Sequence, residues 1–520
     1  MTDTRGPGAG LAPSRAARRI ETDERIHVVG IAGAGASAAG LHAAWAGAEV
    51  DGCDPGGPSP YTGATEAAAI RVSWEHDPAH VRRSPPPDRL AVTKALTAIA
   101  PHHPELEAAR SAGIAIEPWQ QVIADAAVGR TLVGVAGTHG KSTSAGWLVH
   151  VLAAAGVDPA AFVGALLPAE LTGGTPATAR RGQGGLFVVE ADEYAGNFDA
   201  YRPALAVVTS AEWDHPDVFV DRAAVLAAFE AWIRRMADAA GPPVLVANVG
   251  DEGVAELAAR LHDWPGRIVA AAIVDAPAAR LGSYARGIAD QYETGAGPAT
   301  AILARIAELD AAGTSVEIHG LDPLRGLLPV RLPTAGRHNV ANALGVAAAA
   351  DAAGLPPDRI AAGLASFPGV GRRLERKGEA AGVVVFDDYG HHPTAIRETL
   401  AAVRQRAPGR RIWAVYEPLT FHRTAALLDE FAAVLAAADG VAIADIWPGR
   451  DPDTTITSAA HLAEAVARRN PRLDVAAPGS VEDTARWLAD TVRSGDAVLV
   501  MGGGRSYRIG ELLLEALAAR

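Results

Sequence analysis

A glycine-rich turn between an apolar strand and a helix is the sequence feature that most limits the fold. The strand ends with Thr131-Leu132-Val133, the helix is predicted over 145–155, and valine at position 135 makes the turn a variant of the standard P-loop spacing. Glycines in such a turn let backbone N–H groups approach an anion, and the helix N-terminus adds a partial positive charge. Lys141 can contact terminal phosphate oxygens, and the Ser142 hydroxyl can ligate a magnesium ion. The predicted phosphate cradle comprises Gly137, Thr138, His139, Gly140, Lys141, Ser142 and Thr143.

Acidic residues follow two further apolar strands downstream of this turn. The strand over 186–189 runs into Glu190, and the strand over 204–209 leads to Asp214 and His215. Side chains at the C-terminal ends of parallel strands face the crevice where α/β proteins bind ligands, and carboxylates suit Mg²⁺. Two acidic strand ends after one phosphate turn therefore favour a metal site over two solvated turns.

A second glycine turn lies near the start of the chain, between a predicted strand over 26–29 and a predicted helix over 38–46. Its glycines, Gly30, Gly33 and Gly35, do not match the strict Gly-x-Gly-x-x-Gly spacing. The turn indicates binding of a nucleotide diphosphate in general, and NAD is one option.

Composition excludes several classes of protein. A length of 520 residues suits about three domains, and a net charge of −13 argues against nucleic acid or an anionic membrane as the main partner. The single cysteine, Cys53, excludes a disulfide framework and a multi-cysteine zinc site, so we interpret it as a small apolar filler. Histidines such as His76 and His80 are more often surface or structural residues than functional ones, and we assign them no role from the sequence. Residues 1–25 have no apolar signal sequence and are predicted to be a disordered tail.

The alternation of strands and helices predicts an α/β chain of three domains, over 26–125, 126–366 and 367–520. A helix beginning near Gly336 carries Asn339 and Asn342 on one face, where amides could read a purine edge. The third domain opens at a Gly/Pro junction over 367–373 whose arginines offer phosphate contacts. No membrane-spanning helix is expected, and the uncharged run 142–157 is too short to cross a bilayer.

Seven motifs occur in an order and spacing that resembles the Mur ligase family, whose members add amino acids to UDP-N-acetylmuramate in peptidoglycan synthesis. They are Val28–Ser37, Ala136–Thr143, Val189–Tyr194, Asp214-His215, Gly336–Asn342, Phe367–Glu375 and Asp387–Thr394. The resemblance implies an N-terminal Rossmann-like domain for the UDP substrate, a central P-loop-type ATPase domain, and a C-terminal Rossmann-like domain for the amino acid. It also implies ATP-dependent amide formation through an acyl phosphate, with Mg²⁺, in a cytoplasmic monomer or weak homodimer.

The resemblance assigns roles to individual residues. The catalytic residues implied are Lys141, Glu190, His215 and Arg372. The magnesium ligands implied are Ser142, Glu190 and His215, with Glu193 as a further candidate. Beyond the phosphate cradle, the ATP contacts implied are His338, Asn339 and Asn342 near adenine and Asp388 near ribose. The UDP contacts implied are Gly30, Gly33, Gly35 and Ser37, and the amino-acid contacts are Tyr389, His391 and Arg423.

The substrate that supplies the amine stays open at this point. L-Alanine is the leading candidate, but the segment Glu417–Thr424 departs from the family pattern around Leu419 and Thr420. The segment Glu190–Tyr194 also resembles the relatives that attach a recycled murein tripeptide. Outside this chemistry, the first glycine turn leaves an NAD-dependent oxidoreductase as an alternative, and a catalytically inactive nucleotide-binding protein is another.

Overall fold

Three α/β units, each built on its own sheet, make up the chain. The computed structural model describes residues 7–237, 241–322, 326–449, 451 and 453–520. Among these residues, no helix combines the length and apolar character needed to cross a lipid bilayer. Buried aliphatic runs form the central strands of each sheet, because helices cover both faces of a parallel sheet.

The first domain is a five-stranded parallel sheet with the strand order β3-β2-β1-β4-β5. Its elements are β1 (Arg25–Val29), α1 (Ala34–Trp45), β2 (Glu49–Cys53), α2 (Thr62–Ala67), β3 (Arg71–Ser73), α3 (Ala79–Arg82), β4 (Arg89–Val92), α4 (Lys94–Ile99), α5 (Pro104–Ala112), β5 (Ala115–Pro118) and α6 (Trp119–Ala126). The strand predicted over 89–97 is wrong in its second half, where the chain turns into α4 at Lys94.

The central domain contains a ten-stranded sheet in the order β17-β16-β15-β12-β11-β10-β6-β9-β7-β8, parallel except at its two ends. Its first half comprises β6 (Thr131–Ala136), α7 (Lys141–Ala154), β7 (Ala160–Leu167), α8 (Ala169–Thr172), β8 (Ala177–Arg180), β9 (Leu186–Ala191), a 3₁₀ helix (Tyr194–Ala200), β10 (Leu205–Val208) and α9 (Arg222–Ile233). Its second half comprises β11 (Val244–Asn248), α10 (Glu252–Ala259), β12 (Arg267–Ile273), a 3₁₀ turn (Ala278–Arg280), α11 (Leu281–Ala289), β13 (Glu293–Thr294), β14 (Gly297–Pro298), β15 (Thr300–Asp310), β16 (Gly313–His319), β17 (Leu327–Leu332), α12 (Arg337–Ala352) and α13 (Pro357–Ala365).

The third domain is a six-stranded sheet in the order β18-β19-β23-β20-β21-β22, in which only β18 runs antiparallel to its neighbour. Its elements are β18 (Glu375–Ala380), β19 (Val383–Asp388), α14 (Pro393–Arg406), β20 (Ile412–Glu417), α15 (Phe421–Ala426), α16 (Leu428–Leu435), β21 (Gly440–Ala444), α17 (Ala459–Arg469), β22 (Asp474–Gly479), α18 (Val481–Thr491), β23 (Ala497–Gly502) and α19 (Tyr507–Ala518).

The N-terminal segment is not the disordered tail that composition indicates, at least over 7–25; residues 1–6 lie outside the described residues. Arg15 pairs with Glu117 and Asp125 at 2.7 Å each, and both carboxylates also contact the buried Arg89. The segment therefore lies against the first domain, because its arginines neutralise carboxylates that Arg89 alone would leave underpaired.

The first and central domains share a packed interface. Thr178 Oγ1 donates to Ala34 O (2.8 Å), and His42 Nε2 lies 2.9 Å from Ala161 O. Lys94 Nζ donates to Ala195 O and Gly196 O, each at 2.8 Å. One hydrophobic cluster runs through both domains, so they form a single core.

Candidate active site

The phosphate turn has the geometry that its glycines predict. It connects β6 to α7, and both Gly137 (φ +136°) and Gly140 (φ +82°) have positive φ. A Cβ at Gly140 would lie 2.4 Å from Asn342 Oδ1, and one at Gly137 would lie 2.2 Å from Thr209 Oγ1. Among the described residues, no side chain caps the N-terminus of α7, so its first N–H groups stay free for an anion.

The segment that follows β10 stabilises the phosphate turn through hydrogen bonds. Thr138 Oγ1 donates to Glu212 O (3.1 Å) and accepts from Glu212 N (2.9 Å). His139 N donates to Ser210 Oγ (2.8 Å). These contacts use the Thr138 side chain and the His139 N–H to shape the cradle.

Lys141 lies among carboxylates at the first turn of α7. Its Nζ is 2.9 Å from Glu193 Oε2 and 3.2 Å from Asp192 Oδ1. Burial disfavours the ammonium, but the two carboxylates outweigh that effect and raise the pKa of Lys141. Burial, reinforced by Asp192, raises the pKa of Glu193 to about 7 despite the nearby ammonium. The lysine is therefore charged and held at the mouth of the phosphate cradle.

Ser142 and Glu190 form the predicted pair of hard oxygen ligands. Ser142 Oγ donates to Glu190 Oε1 (2.9 Å), while Gly164 N donates to Glu190 Oε2 (2.6 Å). The pair arises because β9, which ends beside β6, places Glu190 opposite the first turn of α7. A hydroxyl and a carboxylate next to a phosphate cradle fit Mg²⁺, which prefers oxygen donors.

His215, the third predicted metal ligand, belongs to a neighbouring group. Its donor atoms and those of Asp192 and Glu193 lie within 4.8 Å of one another, and its ring is 4.8 Å from the Tyr194 ring. The structure thus places the predicted ligands in two groups on either side of Lys141. Asp192, which the sequence analysis left without a role, is part of the second group.

Arg372 does not reach the phosphate turn, and the adjacent Arg373 does. Arg372 turns into its own domain, where it lies 3.2 Å from Asp387 Oδ2 and donates to Gly502 O and Ser506 Oγ at 2.8 Å each. Arg373 Nη2 instead donates to Ser142 Oγ (2.8 Å). In this arrangement Arg373 contacts the phosphate turn, while Arg372 lines the same cleft and stays a predicted phosphate contact.

The two asparagines of α12 share one helix face, as their spacing predicts. Asn342 Nδ2 lies 3.3 Å from Asn339 Oδ1, and Asn339 Nδ2 donates to Ala335 O (2.8 Å). His338 Nδ1 is 3.8 Å from Glu398 Oε2. Asp388 accepts from two backbone N–H groups, those of Leu374 (2.8 Å) and Gly390 (2.7 Å), so both of its oxygens support the loop. Contact of these residues with adenine and ribose stays a prediction.

The residues predicted for the amino acid come from the third domain and meet the central domain. Arg423 is buried, with Nη2 2.7 Å from Asp214 Oδ1 and 3.2 Å from His215 Nδ1. His391 Nδ1 lies 2.9 Å from Tyr389 O. The Tyr389 ring faces Arg373, whose Cζ is 5.0 Å from the ring centre.

A cleft of about 930 Å³ opens between all three domains beside these groups. Its lining includes Tyr61 of the first domain, Thr143 and Gly164 of the central domain, and Arg373 and Tyr389 of the third. The sequence does not predict that Tyr61 and Gly164 line this cleft, because neither residue belongs to a recognisable motif. Arg373 lies in the predicted junction over 367–373, directly after Arg372.

The four residues predicted to contact UDP at the first glycine turn lie in two kinds of surroundings. Gly30 (φ +84°) and Gly33 lie at the uncapped N-terminus of α1. Gly35 instead packs against Trp119, whose ring a Cβ would approach to 2.1 Å. Ser37 is fully buried, and its hydroxyl donates to Ala34 O (3.0 Å) and lies 3.2 Å from Thr178 Oγ1. Gly35 thus packs against a helix of its own domain and Ser37 packs against the central domain, and the UDP contacts of both residues stay predictions.

The fold and the site together define a multidomain nucleotide-binding enzyme of the α/β class. Three family models match in sequence order: Mur ligase family, catalytic domain (residues 25–131); Mur ligase middle domain (135–350); and Mur ligase, glutamate ligase domain (372–504). The chain belongs to the Mur ligase family. It is a ligase of a family that uses ATP, which confirms the ligase interpretation over the oxidoreductase one.

Individual relatives agree with this assignment over nearly the whole chain. A protein of Kineococcus radiotolerans described as UDP-N-acetylmuramate–L-alanine ligase is 38% identical over 95% of this chain and 97% of its own. One of Frankia casuarinae with the same description is 36% identical over 95% and 98%. The solved UDP-N-acetylmuramate–alanine ligase of Thermotoga maritima has a TM-score of 0.72 at 21% identity, covering 94% of this chain and 98% of that one. This structural match confirms the predicted three-domain fold.

Proposed function

We propose that the protein joins L-alanine to the carboxylate of UDP-N-acetylmuramate, with ATP and Mg²⁺, in peptidoglycan precursor synthesis. The observation that carries the proposal is the contact of Arg373 with Ser142, which brings a third-domain cation to the phosphate turn at 2.8 Å. The relatives named for this reaction, at 38% and 36% identity over nearly full length, support the choice of substrates.

The first half of the reaction activates the substrate carboxylate. A carboxylate oxygen attacks the γ-phosphorus of ATP, ADP leaves, and an acyl phosphate forms. Lys141 and Arg373 offset the negative charge that the terminal phosphate carries during transfer. Ser142 and Glu190 would hold the magnesium ion, which offsets charge on the same phosphoryl group when it is bound. The cradle from Gly137 to Thr143 orients the phosphate chain.

The second half forms the amide. The amine of the amino acid attacks the acyl phosphate carbonyl, inorganic phosphate leaves, and the amine gives up a proton. Arg423, Tyr389 and His391 are the proposed contacts of the amino acid. Positive neighbours hold the pKa of Asp214 well below its usual range despite burial, so it stays ionised and fixes Arg423 in place.

The three domains have to meet for both halves to occur. The UDP substrate is proposed to bind at Gly30 and Gly33, ATP at the central turn, and the amino acid on the third domain. The cleft lined by all three domains gives their substrates a common space. Closure would also exclude water, which otherwise hydrolyses an acyl phosphate.

Phosphate release measured with ATP, Mg²⁺, UDP-N-acetylmuramate and a panel of amine donors tests the proposal. The panel contains L-alanine, glycine, L-serine and the tripeptide L-alanyl-γ-D-glutamyl-meso-diaminopimelate. L-Alanine is expected to stimulate release most, and Lys141→Ala is expected to abolish the stimulation. Stimulation by the tripeptide alone would support the recycling reaction instead, and a panel without any active donor would overturn the proposal.

A further inference from the structure

A group of histidine, cysteine and carboxylate side chains lies inside the first domain, away from the residues assigned above. We call it the first-domain cluster, and it consists of His27 on β1, Cys53 at the end of β2, His80 on α3 and Glu105 on α5. One donor atom from each of the four lies within 4.8 Å of the other three. Residues separated by up to 78 positions therefore converge on one point through the folding of four elements.

The donor atoms of the first-domain cluster lie near the spacing of a metal coordination sphere. Glu105 contacts the other three residues, with Oε2 3.1 Å from Cys53 Sγ and Oε1 2.8 Å from His80 Nδ1. His27 Nε2 is 3.4 Å from Glu105 Oε2. A tetrahedral zinc ion with bonds of about 2.0–2.3 Å sets its donor atoms about 3.3–3.8 Å apart. Since no two donor atoms of the cluster are more than 4.8 Å apart, movements of up to about 1 Å would produce that spacing.

Burying these donor atoms raises the free energy of the folded protein unless each atom has a bonding partner. Cys53 and Glu105 are fully buried and His27 is 1% exposed, while the His80 side chain retains 19% exposure. In the described part of the chain, His27 Nε2 meets no hydrogen-bond geometry, and its contact with Glu105 Oε2 at 3.4 Å is that of a loose ion pair. This buried nitrogen therefore keeps the capacity to bind a ligand within a group of metal-ligating side chains.

The surroundings of His27 are those of a histidine that binds a metal. Its Nδ1 lies 2.9 Å from Asp51 Oδ1, and Asp51 in turn pairs with Arg83. A carboxylate on one ring nitrogen holds the proton there and leaves the lone pair of the other nitrogen free for an ion. The orientation of His27 is therefore fixed with Nε2 toward the cluster.

We propose that His27, Cys53, His80 and Glu105 bind one Zn²⁺ ion in a structural site. A thiolate and two imidazoles select a borderline-soft ion over Mg²⁺. Four protein donors leave no open position, which is the pattern of structural rather than catalytic zinc. A single cysteine excludes a multi-cysteine site but allows this mixed one, so Cys53 and His80 have a role that the sequence analysis did not give them.

The ion would stabilise the first glycine turn. Cys53 O accepts hydrogen bonds from Gly30 N (2.8 Å) and Ile31 N (3.2 Å). Holding Cys53 to β1 and α5 thus holds the carbonyl on which the turn rests. The competing explanation is a metal-free network in which protonated imidazoles pair with Glu105 and Asp51.

Cobalt substitution of the full-length protein separates the two explanations. The protein is treated with chelator, dialysed, and titrated with Co²⁺ while absorption is recorded. Because the chain contains one cysteine, a thiolate-to-cobalt charge-transfer band reports Cys53 alone. The band is expected to saturate at one Co²⁺ per chain, with the strong d–d absorption of a tetrahedral ion, and Zn²⁺ should displace it. No such band, or one that excess Mg²⁺ abolishes, would overturn the proposal.

Two histidine variants locate the site. His80→Ala removes the most exposed of the four donors and is expected to weaken Co²⁺ binding at least about tenfold. His102→Ala is the matched control, since that side chain is 89% exposed and pairs only with Glu107 among the described contacts. Zn²⁺ should raise the melting temperature of wild type and His102→Ala but not of His80→Ala. Wild-type affinity in His80→Ala would overturn the ligand set, and if that variant does not fold, the wild-type titration decides alone.

Discussion

Two adjacent arginines serve different parts of the molecule. Arg372 is enclosed by Asp387, Gly502 and Ser506 of its own domain, while Arg373 donates to Ser142 of the central domain. The sequence offers the same guanidinium at both positions and gives no indication of direction. Arg372 has a left-handed backbone (φ +58°), which few residues other than glycine adopt, and this local conformation is not recorded in the sequence pattern.

Alanine at each of these positions should give opposite results. Arg373→Ala is expected to lower ATP-dependent turnover on the order of 10²–10³-fold with little change in melting temperature, because it removes a cation from the transferring phosphate. Arg372→Ala is expected to destabilise the fold by about 3 kcal/mol, because Asp387 loses its buried partner. Kinetics and thermal unfolding of both variants check the pair. A large loss of turnover in a stable Arg372→Ala would contradict this division of roles.

His42 makes stability depend on pH at the interface of the first and central domains. Burial lowers the pKa of His42 to about 4, from about 6.5 when the chain is unfolded. Between these values the unfolded chain binds a proton that the folded chain does not, so stability falls as pH falls from 6.5 to 4. The contribution to the slope is at most about 1.4 kcal/mol per pH unit.

Urea unfolding of wild type and His42→Gln at several pH values measures this contribution. Glutamine keeps a donor for Ala161 O but cannot titrate, so the variant should lose less stability over the same pH interval. Acid titration of the other residues changes the free energy of unfolding equally in both proteins, so it does not contribute to the difference between them. Equal slopes in the two proteins would show that His42 does not set the dependence.

At the scale of elements, the parallel strands that lead into motifs were predictable, and so was a strand over 314–319, but β15 was not. Apolar runs such as 131–136 and 186–191 are buried on both faces and therefore read as strands. By contrast, β15 (Thr300–Asp310) contains three Ala, two Leu, one Arg and one Glu, residues that favour helices. It becomes a strand because β12 and β16 pair with it, which no local pattern records.

The same distinction, between local patterns and long-range packing, applies to the residues of the candidate site. Motifs indicated that Lys141, Ser142 and Glu190 lie close together, because a strand, a turn and a helix fix their relation over a short distance. The contact between Ser142 and Arg373 spans 231 residues and two domains, so it depends on how the domains pack. The burial of Ser37 beside Thr178 likewise depends on the packing of α1 against β8, which no local motif records.

The turn between β6 and α7 depends on glycine at 140 for two separate reasons, backbone conformation and space. Gly140→Ala should cost about 1–2 kcal/mol of stability from its positive φ, and should also weaken ATP binding at least about tenfold, since Asn342 must move. Gly156→Ala, at the other end of the same helix, has a φ of +84° and nothing within 4 Å of the added carbon. It should show the stability cost alone. Titration with ATP and thermal unfolding separate the two effects, and equal ATP affinities would contradict the role of Asn342.

At the scale of the whole molecule, polar contacts and one shared aromatic side chain hold the third domain against the central one. Trp213 packs against the cores of both domains, and Gln405 Nε2 donates to Gly313 O (2.9 Å). Arg423 pairs with Asp214, and Thr394 Oγ1 donates to Glu212 Oε2 (2.8 Å). Arg373 adds the contact with Ser142. These polar contacts can exchange with water and ligands, so the third domain is suited to open and close over the cleft.

Arg423→Ala should favour the open arrangement. The variant leaves Asp214 buried without its guanidinium, so the interface is expected to separate, with a larger radius of gyration by small-angle scattering and at least about tenfold lower turnover. Arg397→Ala is the control, because that side chain is exposed and pairs only with Glu398 among the described contacts. An unchanged radius of gyration in Arg423→Ala would show that this pair does not hold the domains together.

The hydrogen bonds of Lys94 across the first interface have a practical consequence for chemical footprinting. The chain contains only three lysines, Lys94, Lys141 and Lys377. One lies between the first and central domains, one at the phosphate turn, and one on the lining of the shared cleft. An amine-directed reagent followed by mass spectrometry would therefore yield three lysine modification sites besides the N-terminal amine, and each lysine would report the accessibility of a different junction as substrates are added.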